Sequence, residues 1–337
     1  MDFELSDDQQ ALREAARELL DDRAGSAQVR AVVDAGAPFD AELWKAMVEQ
    51  GWTGIAVPDD DGGVGLGWVE AAVLAEAVGA HVAPAPIVQS IIAADALRDT
   101  PWVAALLAGD VVACVGATGE REVVPYAASA DLAVCRRGHG LVVADVREQR
   151  PSRESAMDVT REVGWLDPNA LAGAQLLGGD DAVGRFLDRG ATAYAAELLG
   201  AAQRMLDESV AYAKERVQFD RPIGSFQAVK HRLADMLVDV EGMRSAVYWA
   251  AWCIAAEHPD ASVAASTAKA WCSDAARRVV ASALQVHGGI GFTWEHDVHL
   301  YLKRVQLDSL LFGDAVAHRE RLAQLLRARV DAGESVL

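Results

Sequence analysis

The stretch from Arg216 to Met236, RVQFDRPIGSFQAVKHRLADM, is the densest run of constrained residue types in the chain. Apolar residues three and four positions apart precede and follow it, which predicts a helix with one buried face on each side. Between the two helices Pro222 and Gly224 break the pattern, and Ser225 is placed to cap the second helix. The stretch therefore predicts a turn that brings two long helices together.

Polar residues around this break are suited to a ligand. Arg216, Gln218 and Phe219 precede it, and Gln227 follows it. A cation, two carboxamides and a phenyl ring near a helix start can hold a molecule that carries phosphate and an aromatic part. An αα-hairpin with an arginine at its tip is also common and needs no ligand, so these residues alone leave both interpretations open.

The net charge of the chain restricts its partners. With 31 basic and 50 acidic residues among 337, the formal charge is −19. Such a chain repels phosphate backbones, which argues against nucleic acid and anionic membranes as partners, and an anionic ligand would need a local basic pocket. The longest apolar run, 246–256, is too short to span a bilayer, and the acidic N-terminus is unlike a signal peptide.

The cysteines point to a reducing compartment. Four are present, without a C-x-x-C pair or a zinc-type spacing, and most lie in apolar contexts as reduced core residues would: Cys114, Cys135, Cys253 and Cys272. We therefore expect a soluble, cytoplasmic protein. His231 and His287 have no ligand pattern around them, so no metal site is predicted.

Changes in periodicity divide the chain into three predicted domains. Residues 1–110 are predicted to be helical, beginning with a capping box at Ser6–Gln9, with further helices at 41–50, 68–79, 87–97 and 102–107. Residues 111–180 contain short runs rich in β-branched residues at 111–115, 132–135, 141–144, 160–164 and 172–177. Residues 181–337 carry four amphipathic segments, at 182–216, 226–258, 262–287 and 298–329.

These patterns predict a mainly α fold with a β middle domain. Because no helix separates the strands, an antiparallel barrel or sandwich is favoured over a parallel sheet. Four amphipathic helices with short links favour a C-terminal four-helix bundle.

A second glycine-containing motif follows the third bundle helix. Residues 285–291 read QVHGGIG, in which glycines let a backbone come close to a ligand. Taken alone, this is an ordinary helix C-cap.

The two motifs together resemble the signature of the acyl-CoA dehydrogenase family. R-x-Q-F-x-x-P-I-x-x-F-Q at Arg216–Gln227 and Q-x-x-G-G-x-G at Gln285–Gly291 match in residue type and spacing, and the order helical, β, four-helix covers essentially the full chain. The resemblance implies FAD as cofactor and an acyl-CoA substrate. It implies that the FAD pyrophosphate and AMP part is held by Arg216, Gln218, Phe219, Ile223, Gln227, Gln285, Gly288 and Gly289. Asp220 stands where the family usually has glycine.

The catalytic base of the family is missing at both places where it is expected. Family members remove the α-proton with a glutamate while a hydride goes to the flavin. One expected position holds Phe312 and the other, on the first bundle helix, holds Gly190. The nearest carboxylates, Asp188 and Asp314, are expected to be surface residues. The middle segment also lacks the family run T-E-P-x-A-G-S-D and has CVGATG at 114–119.

This combination resembles the short, degenerate subunit of heteromeric acyl-CoA dehydrogenases. In such α2β2 assemblies a related chain supplies the base, and several act on steroid side-chain CoA thioesters. Two alternatives stay open: a self-sufficient homo-oligomeric flavoenzyme that uses Asp188, Asp314 or no base, and a scaffold subunit without cofactor.

Other prominent residues have simpler expected roles. Trp249, Trp252 and Trp271 are predicted to lie in the core or a subunit interface. The pair Lys303–Arg304 is predicted either to face solvent or to face CoA or FAD phosphates.

Overall fold

A computed structural model describes residues 4–333, which contain eleven α-helices and nine strands. The first helix begins as predicted: the Ser6 hydroxyl accepts from the Gln9 amide at 3.2 Å, and the Gln9 side chain accepts from the Ser6 amide at 3.0 Å. The helices before the strands are α1 (Asp7–Arg23), α2 (Ser26–Ala35), α3 (Ala41–Glu49), α4 (Trp68–Ala80), α5 (Ile87–Ala96) and α6 (Trp102–Leu107). Of these, α2 was not predicted.

The middle of the chain forms two small sheets. The strands are β1 (Ala113–Gly116), β2 (Glu122–Pro125), β3 (Leu132–Arg137), β4 (Gly140–Asp145), β5 (Arg153–Glu154), β6 (Val163–Leu166) and β7 (Gln175–Gly178). One sheet has the order β1-β3-β4-β7 and the other β2-β6-β5. The short strands β2 and β5 were not predicted.

The pairing in this region corrects one detail of the prediction. Strands β1 and β3 are parallel, with Ala113 opposite Leu132, whereas the other pairs are antiparallel. The chain leaves β1, forms β2 in the second sheet and then returns beside β1, so the crossover contains a strand where a helix is usual. The pattern of apolar and polar residues within a single strand does not show that the chain enters the second sheet between β1 and β3.

The remaining helices are α7 (Asp180–Glu215), α8 (Gln227–Ala255), α9 (Ala261–His287), α10 (Val298–Asp308) and α11 (Ala315–Asp331). The prediction of one helix over 298–329 was wrong. Phe312 and Gly313 have φ of 57° and 96°, which ends the helical path, and the Asp314 side chain caps α11 by accepting from the Ala317 amide at 2.8 Å. The domain division at residues 110 and 180 stays a prediction.

A two-residue hairpin joins α7 to α8. Strands β8 (Val217–Gln218) and β9 (Arg221–Pro222) pair, and between them Phe219 and Asp220 have φ of 53° and 62°. Positive φ at both positions is what a type I′ turn requires, so Asp220 takes the conformation that glycine adopts most readily. Ser225 does not cap α8, whose N-cap position is Phe226 and has no side-chain hydrogen bond.

Two glycines let α4 and α7 cross at short range. A Cβ on Gly79 would lie 1.9 Å from the Glu197 carbonyl oxygen, and a Cβ on Gly200 would lie 1.8 Å from that of Glu76. Any larger residue would push the helices apart. This crossing fixes α7, the helix that carries Gly190 and ends at Arg216, against the N-terminal helices.

A buried ionic network joins the β region to the bundle. Arg304 of α10 donates to Asp158 at 3.0 Å and to Glu197 of α7 at 2.9 Å. Arg161 donates to the same Glu197 oxygen at 2.5 Å and lies 3.1 Å from Asp308. All five side chains are at most 2% exposed. The prediction for Arg304 was therefore wrong, while Lys303 lies over the Trp294 ring at 4.6 Å.

The four cysteines are all free and buried. Between residues 4 and 333 no helix is both long enough and apolar enough to cross a membrane.

Replacing Arg304 by methionine should destabilise the fold strongly. The substitution leaves the buried carboxylates of Asp158 and Glu197 with Arg161 as their remaining cation, and breaking a buried ion pair in this way costs about 3–5 kcal/mol of the free energy of unfolding. The matched control is Arg319→Met, which breaks the exposed pair with Asp274 and should cost at most about 1 kcal/mol. Urea unfolding at pH 7 measures both; equal losses would contradict the assigned importance of the network.

Asp308 should make the stability of the chain depend on pH. Burial raises the pKa of Asp308 to about 8, with Glu197 adding to the rise while Arg161 opposes it. The folded chain thus binds this proton more tightly than the unfolded chain, so the stabilisation is present at low pH and is lost as the pH rises through about 8.

Asp308→Asn, which cannot ionise, should therefore show a smaller drop in thermal midpoint between pH 6 and pH 9 than the unsubstituted chain. The exposed Asp274→Asn serves as control and should keep the original drop. An unchanged drop in Asp308→Asn would show that Asp308 does not titrate in this range.

Candidate cofactor site

The two predicted ligand motifs meet at one end of the bundle. The Tyr212 ring, one helical turn before Arg216, stacks on the His287 ring with centroids 4.6 Å apart and planes at 26°. His287 follows Gln285 by two positions and directly precedes Gly288. We call this region, residues 212–227 and 285–294, the turn end. The structure thus brings together segments that are about seventy residues apart in sequence.

Arg216 is an exposed cation without a partner among the residues that the structure describes. Its side chain makes neither a hydrogen bond nor an ion pair there, while its carbonyl accepts from the Ile223 amide at 2.8 Å and closes the hairpin. Gln227 and Gln285 are also exposed, and Gln218 donates to the carbonyl of Val217 at 2.8 Å. These groups face outward, where a phosphate-bearing molecule can reach them.

Large apolar side chains are also exposed at the turn end. Phe219 is 84% exposed and Phe292 is 71% exposed, and Val217, Ile290 and Trp294 are also exposed. Arg221 covers one face of Phe226 at 4.1 Å from the ring centroid. A concentration of exposed aromatic rings is typical of a surface that another molecule covers. Sequence reasoning missed Phe292 and Trp294, although their place just after the glycines of QVHGGIG was a usable signal.

The two expected base positions touch each other. A Cβ on Gly190 would lie 2.0 Å from an atom of the Phe312 ring, so the ring occupies the space that a side chain at 190 would need. Phe312 also packs on Phe186 and Tyr194, at centroid distances of 5.2 and 5.6 Å. Gly190 and Phe312 therefore pack as one unit. The sequence at either position alone does not show this contact.

Buried polar groups hold the turn that carries Phe312. Lys269 donates to the carbonyls of Asp308 and Ser309, both at 3.1 Å, and burial lowers the pKa of Lys269 to about 8. His318 donates through Nε2 to the Phe312 carbonyl at 2.8 Å, and burial lowers the pKa of His318 to about 4. Sequence reasoning assigned no role to either residue.

The nearby carboxylates are engaged elsewhere. Asp188 is buried, which corrects its expected surface position; it accepts from the Ser262 hydroxyl at 2.6 Å and lies 2.7 Å from Arg321. Asp314 caps α11.

In the middle region Glu122 accepts from the Thr118 amide at 2.8 Å, and burial raises the pKa of Glu122. Within the described part of the chain, no cluster of His, Cys, Asp or Glu is arranged to hold a metal ion.

The residues present fit one half of a flavin dinucleotide. An unpaired guanidinium, free carboxamides and glycines at the turn end suit a pyrophosphate and its AMP. At the two positions where the sequence predicted a base, the structure has the Phe312–Gly190 contact, and neither residue can accept a proton.

This architecture and these motifs belong to a known enzyme class. Residues 6–99 match the family model described as "Acyl-CoA dehydrogenase, N-terminal domain", and residues 178–326 match "Acyl-CoA dehydrogenase, C-terminal domain". The chain belongs to the acyl-CoA dehydrogenase family, whose cofactor is FAD and whose members are oxidoreductases that act on CH–CH bonds.

Similar proteins cover nearly the whole chain. Acyl-CoA dehydrogenase IpdE2 of Mycolicibacterium smegmatis is 35% identical over 325 residues, 95% of this chain and 98% of the relative. The ChsE4-ChsE5 complex from Mycobacterium tuberculosis contains a chain with a TM-score of 0.87 and 28% identity, covering 97% of this chain and 99% of that one. A chain of the Tcur3481-Tcur3483 steroid ACAD G363A variant has a TM-score of 0.86 and 29% identity, covering 96% and 99%.

Gly190→Ala should destabilise the chain, whereas Gly184→Ala should not. A Cβ at 190 overlaps the Phe312 ring, and overpacking of this kind costs about 1–3 kcal/mol. Gly184 lies on the same helix, and a Cβ added there would have no neighbouring atom within 4 Å. Alanine at 184 should therefore raise the free energy of unfolding by about 0.5–1 kcal/mol, because glycine is unfavourable inside a helix.

Chemical denaturation of both variants and of Gly190→Ala/Phe312→Ala tests the contact. The double variant should lose less than the sum of its two single substitutions, because Phe312→Ala removes the overlapping ring. Simple additivity would mean that the residues do not interact.

Proposed function

We propose that this chain is a subunit of an FAD-dependent acyl-CoA dehydrogenase in which a homologous partner chain supplies the catalytic glutamate. The observation that carries the proposal is the contrast between the two halves of the site. Phe312 fills the space over Gly190, while Arg216 stands exposed and unpaired in the described structure. A chain that kept the whole reaction would need a carboxylate beside the flavin.

In this assignment the chain binds the pyrophosphate and AMP part of the cofactor. Arg216 would pair with phosphate oxygens; Gln218, Gln227 and Gln285 would hydrogen-bond the dinucleotide; and Phe219, Ile223, Gly288 and Gly289 would line it. FAD, when bound, accepts the hydride from the acyl β-carbon. Because the chain carries a formal charge of −19, a local cation such as Arg216 is needed to hold a doubly charged pyrophosphate.

The exposed apolar side chains of the turn end support a partner. Phe219, Phe292 and Trp294 would be covered where this end meets the second chain. The names of the similar structures, ChsE4-ChsE5 and Tcur3481-Tcur3483, each join two proteins. These names support a second, homologous chain as partner, and we propose the α2β2 arrangement that the family resemblance implies.

The substrate we propose is a bulky acyl-CoA thioester such as a steroid side-chain ester. Support comes from the Tcur3481-Tcur3483 structure, which contains a chain 29% identical to this one and is described as a steroid ACAD. Turnover of steroid side-chain and straight-chain acyl-CoA thioesters by the assembly distinguishes this substrate class from the general family activity.

The engaged carboxylates weigh against a self-sufficient flavoenzyme. Asp188 is bound by Ser262 and Arg321, and Asp314 by the α11 amide, so neither is free to act as a base near Gly190.

Arg216→Ala should weaken FAD binding by the assembly about tenfold to a hundredfold, as expected for a lost charge-assisted hydrogen bond. The measurement is flavin absorbance of the complex with the partner chain during FAD titration. Arg137→Ala, an exposed arginine in strand β3, is the matched control and should keep the original affinity.

Two results would overturn the proposal. Bound flavin and turnover by this chain alone would identify a self-sufficient enzyme. Unchanged FAD affinity in the Arg216→Ala/Gln285→Ala variant would identify a scaffold that does not touch the cofactor.

A further inference from the structure

One buried histidine connects the two motifs of the turn end. His287 is 4% exposed, and its ring stacks on Tyr212 at a centroid distance of 4.6 Å and contacts the tilted ring of His296 at 4.5 Å. Its Nδ1 donates to the Ala283 carbonyl at 2.8 Å, since a carbonyl oxygen only accepts. That bond fixes the tautomer and the direction of the ring. The buried Nε2 has no hydrogen-bond partner in the described structure, so polar bonding at that atom does not account for the position of the ring.

The stack lies next to both ligand motifs. The Tyr212 carbonyl accepts from the Arg216 amide at 2.8 Å, so the last turn of α7 connects Tyr212 directly to the residue where the hairpin starts. On the other side His287 is followed by Gly288, whose φ of 63° and ψ of −141° turn the backbone out of α9. A shift of either ring would therefore move one motif relative to the other.

We propose that His287 is a positioning residue that holds the Arg216 hairpin in register with Gln285–Gly289 by stacking on Tyr212. The reference to a cofactor rests on the proposed function, whereas the mechanical coupling between the two segments does not. The ring would act on ligand binding through the position of other residues, without touching the ligand itself.

Three substitutions separate the functions of the histidine ring. His287→Ala removes the ring, His287→Phe keeps a stacking face without the bond to Ala283, and His287→Asn keeps a donor for Ala283 without the stacking face. His139→Ala, at an exposed histidine in the β3–β4 turn, is the control.

The first measurement is hydrogen–deuterium exchange of the chain, followed at the amides of residues 217–221. We expect exchange there to be about two- to tenfold faster in His287→Ala and His287→Asn, and unchanged in His287→Phe and His139→Ala. A purely structural role at the end of α9 would speed exchange near residue 287 alone. Reciprocally, Tyr212→Leu should speed exchange at residues 285–289.

Unchanged exchange at 217–221 in His287→Ala would overturn the inference. So would an Asn variant that behaves like the unsubstituted chain while the Phe variant does not, because the Ala283 bond would then be the cause.

The second measurement is FAD titration of the complex with the partner chain. Affinity should fall about two- to tenfold in the Ala and Asn variants, since binding must then order the hairpin, and the Phe variant should retain it. If the unsubstituted complex binds no FAD, the proposed function fails while the exchange data still decide the coupling. Equal affinity in all variants, with FAD bound, would overturn the positioning role.

Discussion

Two buried guanidiniums, Arg161 and Arg304, form the centre at which the β region meets the helical bundle. They meet carboxylates from the segment before β6, from α7 and from α10, with no exposed surface to share the charge. In a medium of low dielectric such an arrangement tolerates little displacement, because each group that moves leaves an opposite charge unpaired. The network therefore fixes the β region on the helical bundle, and with the close crossing of α4 and α7 it fixes the helix that bears the site.

The two ends of α7, the helix held in place by these contacts, differ in how they are packed. Near its start Gly190 receives the ring of Phe312, whose turn is held by Lys269 and His318, and this part of the molecule is closed by packing. After its last residue Arg216 and the aromatic side chains of the turn end are open to solvent. At one end a ring fills the space beside Gly190, while the other end keeps an unpaired cation and exposed aromatic rings in the described chain. This difference between the two ends of α7 supports the proposal that the chain contributes half of a site.

Local patterns accounted for much of the fold. The capping box at Ser6, the helix break at Pro222 and the bundle helices α7 to α9 follow from capping, backbone restriction and periodicity, which act within a few residues. The interruption at Phe312–Gly313 was missed because apolar spacing continues across it and only the backbone angles reveal the break. The parallel pairing of β1 with β3 and the burial of Arg304 were likewise invisible, since partners far apart in sequence decide them.

By itself, the sequence determined the class of protein, the order helical, β, helical, and the identity of the candidate residues, because these depend on residue type at short spacing. The tertiary structure alone decided how those residues relate. It showed that Gly190 and Phe312, the two positions at which the sequence lacks the expected base, contact each other. It also showed that Tyr212 and His287 join two distant motifs. Periodicity shows which face of a helix is buried, but it does not show which other element that face contacts.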